Sequence, residues 1–372
     1  MLRGKAWIFP VMLLCLFSDG AAADPDAASL EKYLANARLE ESRHHYSESM
    51  SWYEKALQLA PDEADLHVGV ARQLIGMEKL EEAFESLNRA VQLNPKHAEA
   101  QSMLGIYFQK IRNDFDSAEK HFQLAIQADP HYVRPQNLLG EYYFSLQRLE
   151  DAREVYERLC QNAPDAYEGH FGLGSVLVKQ NENESAVREL ETAIQLAPDE
   201  PDPHRILGQA LAKLGRREEA QEALKKYQEL KKAQNDLTQL LRRVRRNPDV
   251  ADNWFQLGGF YFKHRKERKS IDALRRGLEL APDRAAIYGL IGVLHLHLKK
   301  ADLAEPCLRK AIQLDPDNPE HYNNLGVCCM LQRDYPSAAD AFKKCMELGS
   351  KDPRVLNNYQ SVLKKLEEEK TP

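Results

Sequence analysis

The side chains best suited to metal or acid–base chemistry are twelve histidines and six cysteines, and the histidines show no catalytic spacing. His295 and His297 are two residues apart, so on a helix they point to different faces, unlike the i,i+4 pair that binds zinc. His44 and His45 have no cysteine and no clustered carboxylates at ligand spacing. The sequence therefore predicts no metal site and no cofactor.

Five cysteines follow residue 23: Cys160, Cys307, Cys328, Cys329 and Cys345. None forms a CxxC pair, which argues against a redox or zinc site. We expect these cysteines to pack in the core as small apolar residues. A disulfide between Cys329 and Cys345 is the alternative in an oxidising compartment.

Motifs of known enzymes are also missing from the sequence. It contains no G-x-S-x-G, no Walker loop and no H-E-x-x-H. The acidic pairs Glu81-Glu82 and Glu218-Glu219 fall where we predict helices to begin, and there they offset the helix dipole. We therefore expect a protein that is not an enzyme.

Composition narrows the class further. Hydrophobic residues make up 43% of the 372 residues and charged residues 29%, which excludes a disordered or membrane-spanning chain. The formal net charge of -6 argues against nucleic acid as a partner, because phosphate contacts require a basic surface.

The first 23 residues have the pattern of a signal peptide. Arg3 and Lys5 precede a mostly apolar run from Ala6 to Phe17, and the small residues 21–23 follow. This run is shorter than the roughly 20 residues of a membrane-spanning helix, so we predict cleavage after Ala23 and export to the periplasm, the secretory pathway or the extracellular space. An uncleaved N-terminus that anchors the chain to a membrane is the alternative. No later run is long enough to span a membrane.

The segment Asn183-Glu184-Ser185 fits a glycosylation acceptor, and whether it is used depends on the source organism.

The rest of the sequence is periodic. Four columns of like residues recur mostly every 34 residues, with one step of 50 between Pro198 and Pro248. The prolines are Pro61, Pro95, Pro130, Pro164, Pro198, Pro248, Pro282 and Pro316. The first small column is Ala37, Ala71, Gly105, Gly140, Gly174, Gly208, Gly258, Gly292 and Gly326. The second small column is Ser49, Ala83, Ala118, Ala152, Ala186, Ala220, Ser270, Ala304 and Ala338. Large residues follow four positions later, at Tyr53, Leu87, Phe122, Tyr156, Leu190, Leu224, Leu274, Leu308 and Phe342.

These columns predict two antiparallel helices of about 14 residues in each unit. Small residues are expected where the two helix backbones approach closely, and proline ends the second helix. His67, His170 and His204 share a further column with Trp254, so we expect them to be packing residues.

The segment Trp254-Phe255-Gln256-Leu257-Gly258-Gly259-Phe260-Tyr261, with Ser270, Leu274 and Pro282, resembles the tetratricopeptide repeat, and Tyr322 to Gly326 with Ala338 and Phe342 resembles it again. The resemblance covers about residues 30–350. It implies an all-α, right-handed superhelical solenoid of about nine helix-turn-helix repeats, whose concave wall comes from the first helix of each repeat.

The period also predicts the domain boundaries. We expect repeats 1–6 in residues 24–232, an extra helical linker in 233–250, repeats 7–9 in 251–352, and a C-terminal capping helix and tail in 353–372. The 16 extra residues of the long step indicate either an elongated second helix in repeat 6 or an inserted helix. In the capping helix we expect an inward stripe of Val355, Leu356, Tyr359, Val362, Leu363 and Leu366.

Two surfaces are candidate binding sites. The first is the concave face of the solenoid. Before the long step they include Val68, Arg72, Ile75, Ile106, Gln109, Asn137, Glu141, Phe144, Phe171, Val178, Arg205 and Gln209. After it they are Phe255, Phe262, Val293, Leu296, Asn323, Val327 and Met330, which predict an apolar wall for a hydrophobic helix or extended peptide. The second surface is a basic cluster of Arg242, Arg243, Arg245, Arg246, Lys263, His264, Arg265, Lys266, Arg268 and Lys269, for which a solvated turn and helix face is the simpler interpretation.

The family resemblance implies a function in binding. We expect a non-catalytic protein–protein interaction scaffold that holds a peptide or partner protein in its concave groove and assists assembly of an envelope or secretory complex. The alternative is an accessory subunit of an enzyme that acts on an anionic polymer or membrane surface, which the basic cluster at residues 242–269 would contact.

Overall fold

The computed structural model describes residues 25–370, and the predicted signal peptide lies outside them. The described part is all-helical, with nineteen α-helices and one π-helical turn. The helices are α1 (Pro25–Ser42), α2 (Tyr46–Leu59), α3 (Ala64–Gly76), α4 (Leu80–Leu93), α5 (Ala98–Tyr107, followed by the π-turn Phe108–Arg112), α6 (Phe115–Ala128), α7 (Val133–Ser145), α8 (Leu149–Asn162), α9 (Tyr167–Lys179), α10 (Asn183–Leu196), α11 (Pro201–Lys213), α12 (Arg217–Arg246), α13 (Ala251–Lys263), α14 (Glu267–Leu280), α15 (Ala285–His297), α16 (Ala301–Leu314), α17 (Pro319–Gln332), α18 (Tyr335–Glu347) and α19 (Pro353–Lys370). None of these helices combines the length and hydropathy that a membrane span requires.

Consecutive helices pack on each other in pairs, which confirms the all-α repeat array. Each pair is joined by a short turn in which one residue has a positive φ. These residues are His44, Glu78, Asn113, Gln147, Asn181, Gly215, Arg265, Lys299 and Arg333. A left-handed residue reverses the chain after the first helix, and Gly215 alone among the nine adopts it without a steric penalty.

The small and large columns meet inside each repeat. A Cβ atom added to Gly105 would lie 2.5 Å from the ring of Phe122, and one on Gly326 would lie 2.7 Å from the ring of Phe342. The hydroxyl of Ser270 in the second small column donates to the carbonyl of Gly258 at 2.8 Å. The predicted close approach of the two helices is therefore present, and the large side chain fills the space that the small one leaves.

The histidine column has a further structural role. The indole N–H of Trp254 donates to the carbonyl of Pro248, six residues earlier, at 2.7 Å. Nε2 of His67 lies 2.9 Å from the carbonyl of Pro61, and Gln136 donates to its own proline carbonyl at 2.8 Å. The side chain in this column therefore donates an N–H to the carbonyl of the proline that follows the preceding helix, and we call it the N–H donor column.

The long step corresponds to α12, a single helix of 30 residues. The structure therefore has an elongated second helix in repeat 6, which was one of the two alternatives. The chain divides into two compact units, and the boundary between Tyr227 and Gln228 falls inside this helix. Val244, near its end, packs with Leu257 and Ala273 in the second unit.

The C-terminal helix α19 covers the last repeat. Val355 and Val362 are buried in one cluster with Phe342, whereas Leu356 and Leu363 are 47% and 38% exposed. The expectation that those two leucines point inward was wrong. A helix turns about 100° per residue, so the residues next to an inward position lie off the buried stripe.

Candidate functional site

A groove in the first unit collects several predicted concave residues. It has a volume of about 380 Å³ and lies along the first helices α7, α9 and α11. Residues of one helix at a spacing of three or four share a face, which is why they line one wall. The lining residues are Asn137, Glu141, Phe144, Tyr156, Phe171, Gly172, Ser175, Val178, Lys179, Arg205, Ile206 and Gln209.

The groove combines an apolar floor with charged edges. Phe144, Phe171 and Ile206 are half-buried and pack against the core of the first unit. Lys179 is exposed at the end of α9 and forms no ion pair with any described residue. Arg205 is half-buried and lies 3.4 Å from Asp202. Apolar surface beside positive charge suits an apolar side chain with an acidic neighbour.

Two further groups in the groove are already engaged with the chain itself. The amide of Asn137 donates to Glu141 at 3.0 Å, one helical turn away. Burial, and then the charge of Glu141, raise the pKa of the Tyr156 phenol, so this ring is a neutral part of the floor.

Arg72, also predicted to bind a partner, is neutralised inside the chain. Its guanidinium lies 2.9 Å from Glu41 and 2.9 Å from Glu99. Burial alone would lower the pKa of Arg72, but Glu99 and Glu41 outweigh it and the pKa is raised. Because these carboxylates come from α1 and α5, Arg72 links three first helices and offers little net charge to a partner.

The predicted apolar wall of the second unit is partly core. Leu296, Val327 and Met330 pack against the buried cluster that contains Phe342. The ring of Phe255 occupies the space beside Gly277, where an added Cβ would be 2.4 Å away. Val293 is half-buried, Phe262 is 39% exposed, and the amide of Asn323 lies 3.5 Å from Asn324 Oδ1.

The basic cluster begins at the end of α12. Arg242, Arg243 and Arg246 line a shallow groove of about 290 Å³ with Gln239 and Asn247. These three arginines and Arg245 are exposed, and none forms an ion pair with another described residue. Their charge is therefore available to an anion.

The second part of the basic cluster lies on α13, α14 and the turn between them. Lys263, Arg265, Arg268 and Lys269 are exposed, and Lys266 is half-buried. The ammonium of Lys269 lies 5.9 Å from the ring centre of Tyr261.

The cysteines and the predicted glycosylation site lie in packed surroundings. Cys160, Cys307, Cys328, Cys329 and Cys345 are all free thiols, and the last three are buried. Asn183 is only 9% exposed at the start of α10, and its amide donates to the carbonyl of Asn181 at 3.2 Å. A glycan could not be attached there without disrupting this helix start.

Five of the groove residues were not among the predicted positions: Tyr156, Gly172, Ser175, Lys179 and Ile206. Tyr156 belongs to the column of large residues, so periodicity marks it as core, whereas Gly172 belongs to none of the four columns. Ser175 directly adjoins the column position Gly174, and Lys179 and Ile206 adjoin the predicted concave positions Val178 and Arg205, but only the packed helices show that they reach the same groove.

Models of the tetratricopeptide repeat family match most of the chain. Segments 71–132, 112–167, 261–319 and 295–353 match one tetratricopeptide repeat model. Residues 206–234 match a second, and residues 174–215 match a TPR repeat model. The chain belongs to the tetratricopeptide repeat family, as the sequence predicted.

Solved structures of the same fold resemble the chain at low identity. A double mutant of MamA RS-1 is 20% identical, with 46% of this chain and 97% of that one covered and a TM-score of 0.41. The TPR domain of P58(IPK) is 15% identical, with coverage of 92% and 99% and a TM-score of 0.30. The Cut9–Hcn1 assembly of the APC/C is 19% identical, with coverage of 80% and 55% and a TM-score of 0.38. No curated protein sequence matches the chain significantly.

Family membership supports a general function. Tetratricopeptide repeat proteins are protein–protein interaction scaffolds and are generally not catalytic, since their stacked helices present extended binding surfaces.

Proposed function

We propose that this chain is a scaffold that binds an extended segment of a partner protein in the groove along α7, α9 and α11. The observation that carries the proposal is the convergence of seven predicted concave positions in one groove of about 380 Å³. That volume is within the range of roughly 300–1,000 Å³ that is usual for ligand sites. The predicted signal peptide makes the partner an exported protein, and the scaffold would then assist assembly of an envelope or secretory complex.

The chemistry of the groove defines the preferred segment. Phe144, Phe171 and Ile206 would receive one apolar side chain, while Lys179 and Arg205 would attract a neighbouring acidic one. A peptide in extended conformation directs alternate side chains to opposite sides, so its backbone and remaining side chains stay near solvent.

The test uses a random peptide library selected on the full chain, followed by fluorescence anisotropy with a selected peptide. We expect Phe171→Ala and Arg205→Glu each to weaken binding by at least about tenfold, because anchor residues carry most of the binding energy. Leu146→Ala is the matched control, since Leu146 is 50% exposed and lies outside the groove. Equal affinities for all four proteins would contradict the proposal.

The second candidate function is the accessory subunit that contacts an anionic polymer or membrane surface. The observation that favours it is the group of arginines at the end of α12 with no ion pair among the described residues. Changing Arg242, Arg243, Arg245 and Arg246 together to Glu is expected to abolish retention on dextran sulfate and on anionic vesicles. In the unchanged chain, retention should fall as salt rises, because salt screens exposed charges. Retention that ignores both salt and the four substitutions would exclude this candidate.

A further inference from the structure

Three metal-ligating side chains meet where α8, α9 and α10 pack together. They are Cys160, His170 and Glu189, and one ligand atom from each lies within 4.8 Å of the other two. All three residues are half-buried. Sulfur, imidazole nitrogen and carboxylate oxygen are the ligand types that zinc binds in proteins.

The imidazole of His170 is held in the orientation of a metal-binding histidine. Nε2 lies 3.1 Å from the carbonyl oxygen of Pro164, so the tautomer with its proton on Nε2 donates to that carbonyl. This bond presents Nδ1 to Glu189, whose Oε2 is 2.7 Å away. Histidines that bind zinc usually donate their second ring N–H to a carbonyl or a carboxylate in this way.

The contact between His170 and Glu189 offers two lone pairs to a cation. In the tautomer with its proton on Nε2, Nδ1 and Oε2 both act as acceptors, and they face each other at 2.7 Å. A proton or a metal ion between them would then relieve the repulsion of the two acceptors.

The surroundings of Cys160 are closely packed and provide negative charge. A Cβ on Gly169 would lie 3.1 Å from the sulfur, so the missing side chain lets α9 approach Cys160 closely. The carboxylates of Glu189 and Glu157 are close enough to interact electrostatically with the Cys160 thiol. A divalent ion would balance the charge of the carboxylates and stabilise the thiolate.

We propose that Cys160, His170 and Glu189 bind one zinc ion, with water as the fourth ligand. On binding, the thiol of Cys160 loses its proton to solvent. The sulfur, Nδ1 of His170 and one oxygen of Glu189 each donate a lone pair to the ion and replace water molecules from its hydration shell. Bonds of about 2.0–2.3 Å in a tetrahedral arrangement hold ligand atoms roughly 3.3–3.7 Å apart, so His170 and Glu189 would separate slightly and the three side chains would adjust to this spacing.

Three repeats have a histidine in the N–H donor column. Only the histidine of the fifth repeat, His170, has a cysteine and a glutamate at the matching positions. The positions that correspond to Cys160 and Glu189 are Leu57 and Ser86 around His67. Around His204 they are Ile194 and Ala223. Within residues 25–370 no other three ligand side chains of these types come as close together.

Cobalt(II) titration of the full chain, read by absorption spectroscopy, tests the proposal. We expect one equivalent of cobalt to give a thiolate-to-cobalt charge-transfer band and tetrahedral d–d bands, both displaced by zinc. Cys160→Ser should remove the charge-transfer band, and Glu189→Gln and His170→Gln should each weaken zinc binding at least about tenfold. His170→Gln should fold normally, because Gln101 and Gln136 form the same bond to a proline carbonyl in their repeats.

Cys307→Ser and His67→Gln are the matched controls, and both should keep the spectrum. Absence of the bands in the full chain would mean that a proton occupies the contact and would overturn the proposal. Bands that persist in both Cys160→Ser and His170→Gln would place the ion elsewhere and overturn it equally.

Discussion

The ring of Tyr156 lies directly against Gly172, the glycine of the following repeat. A Cβ atom added to Gly172 would come within 2.2 Å of this ring, and one added to Gly140 would come within 2.5 Å of the same ring. The tyrosine ring thus packs closely against two glycines from consecutive first helices, α7 and α9. Since Tyr156 and Gly172 both line the groove, the packing between repeats also determines the depth of the candidate binding site.

We predict that Gly172→Ala lowers the free energy of unfolding by about 1–3 kcal/mol, because the buried ring, already in close contact with Gly140, has little space to move away from the new methyl group. Urea unfolding followed by circular dichroism measures the change. The double variant Gly172→Ala with Tyr156→Leu should recover part of the loss, since leucine occupies this column in other repeats. Additive effects of the two substitutions would show that the ring is not the cause.

The second prediction concerns the stability that the N–H donor column provides. Gln136 is 1% exposed and donates to the carbonyl of Pro130. Gln136→Leu should cost about 1–3 kcal/mol, because it leaves a carbonyl without its partner. Gln136→His should cost less, as His67 and His170 form the same bond in their own repeats. Equal losses for leucine and histidine in urea unfolding would mean that shape, and not the hydrogen bond, sets this column.

Two glycines with free space around them should respond oppositely to alanine. Neither Gly215 nor Gly259 has an atom within 4 Å of an added Cβ, but Gly215 has φ +78 and Gly259 lies inside α13. Gly215→Ala should therefore destabilise the chain by about 1–2 kcal/mol. Gly259→Ala should stabilise it by about 0.5–1 kcal/mol. Thermal unfolding of the two variants gives the comparison, and shifts of the same sign would contradict it.

We predict that the half-buried His121 makes the fold less stable in mild acid. Burial, and then the charge of Lys120, lower the pKa of His121. The unfolded chain therefore binds more protons than the folded one once the pH falls below about 6.5, so stability declines as the pH falls from there toward the lowered pKa. Urea midpoints at several pH values should show a smaller decline in His121→Gln, with the exposed His297→Gln as control. An unchanged decline in His121→Gln would exclude this histidine as a source.

Periodicity predicted the helix pairs because each column has a packing cause that repeats with the period. Gly105 and Phe122 face each other because the missing side chain of the glycine leaves space for the phenylalanine ring. The left-handed turn residues could not be predicted in this way, since eight of the nine are not glycine. Asn113 and Asn181 were the best signals, because asparagine tolerates that conformation better than most residues.

The candidate sites were harder to predict for a different reason. Whether a concave residue is exposed depends on the next helix, which is why Asn137 and Arg205 share a groove while Met330 packs against a core. Cys160, His170 and Glu189 lie on three helices, at separations of 10 and 19 residues, which no short motif describes. Their proximity is a property of the stacked repeats.

The bond to the proline carbonyl has a consequence for how such an array can evolve. Its donor is an indole in one repeat, an amide in two others and an imidazole in two more. These side chains differ in charge, in proton affinity and in metal affinity, yet the helix junction accepts each of them. A mutation at this position can therefore add reactivity to a single repeat while the architecture stays intact, and the other eight copies continue to carry the stability of the fold.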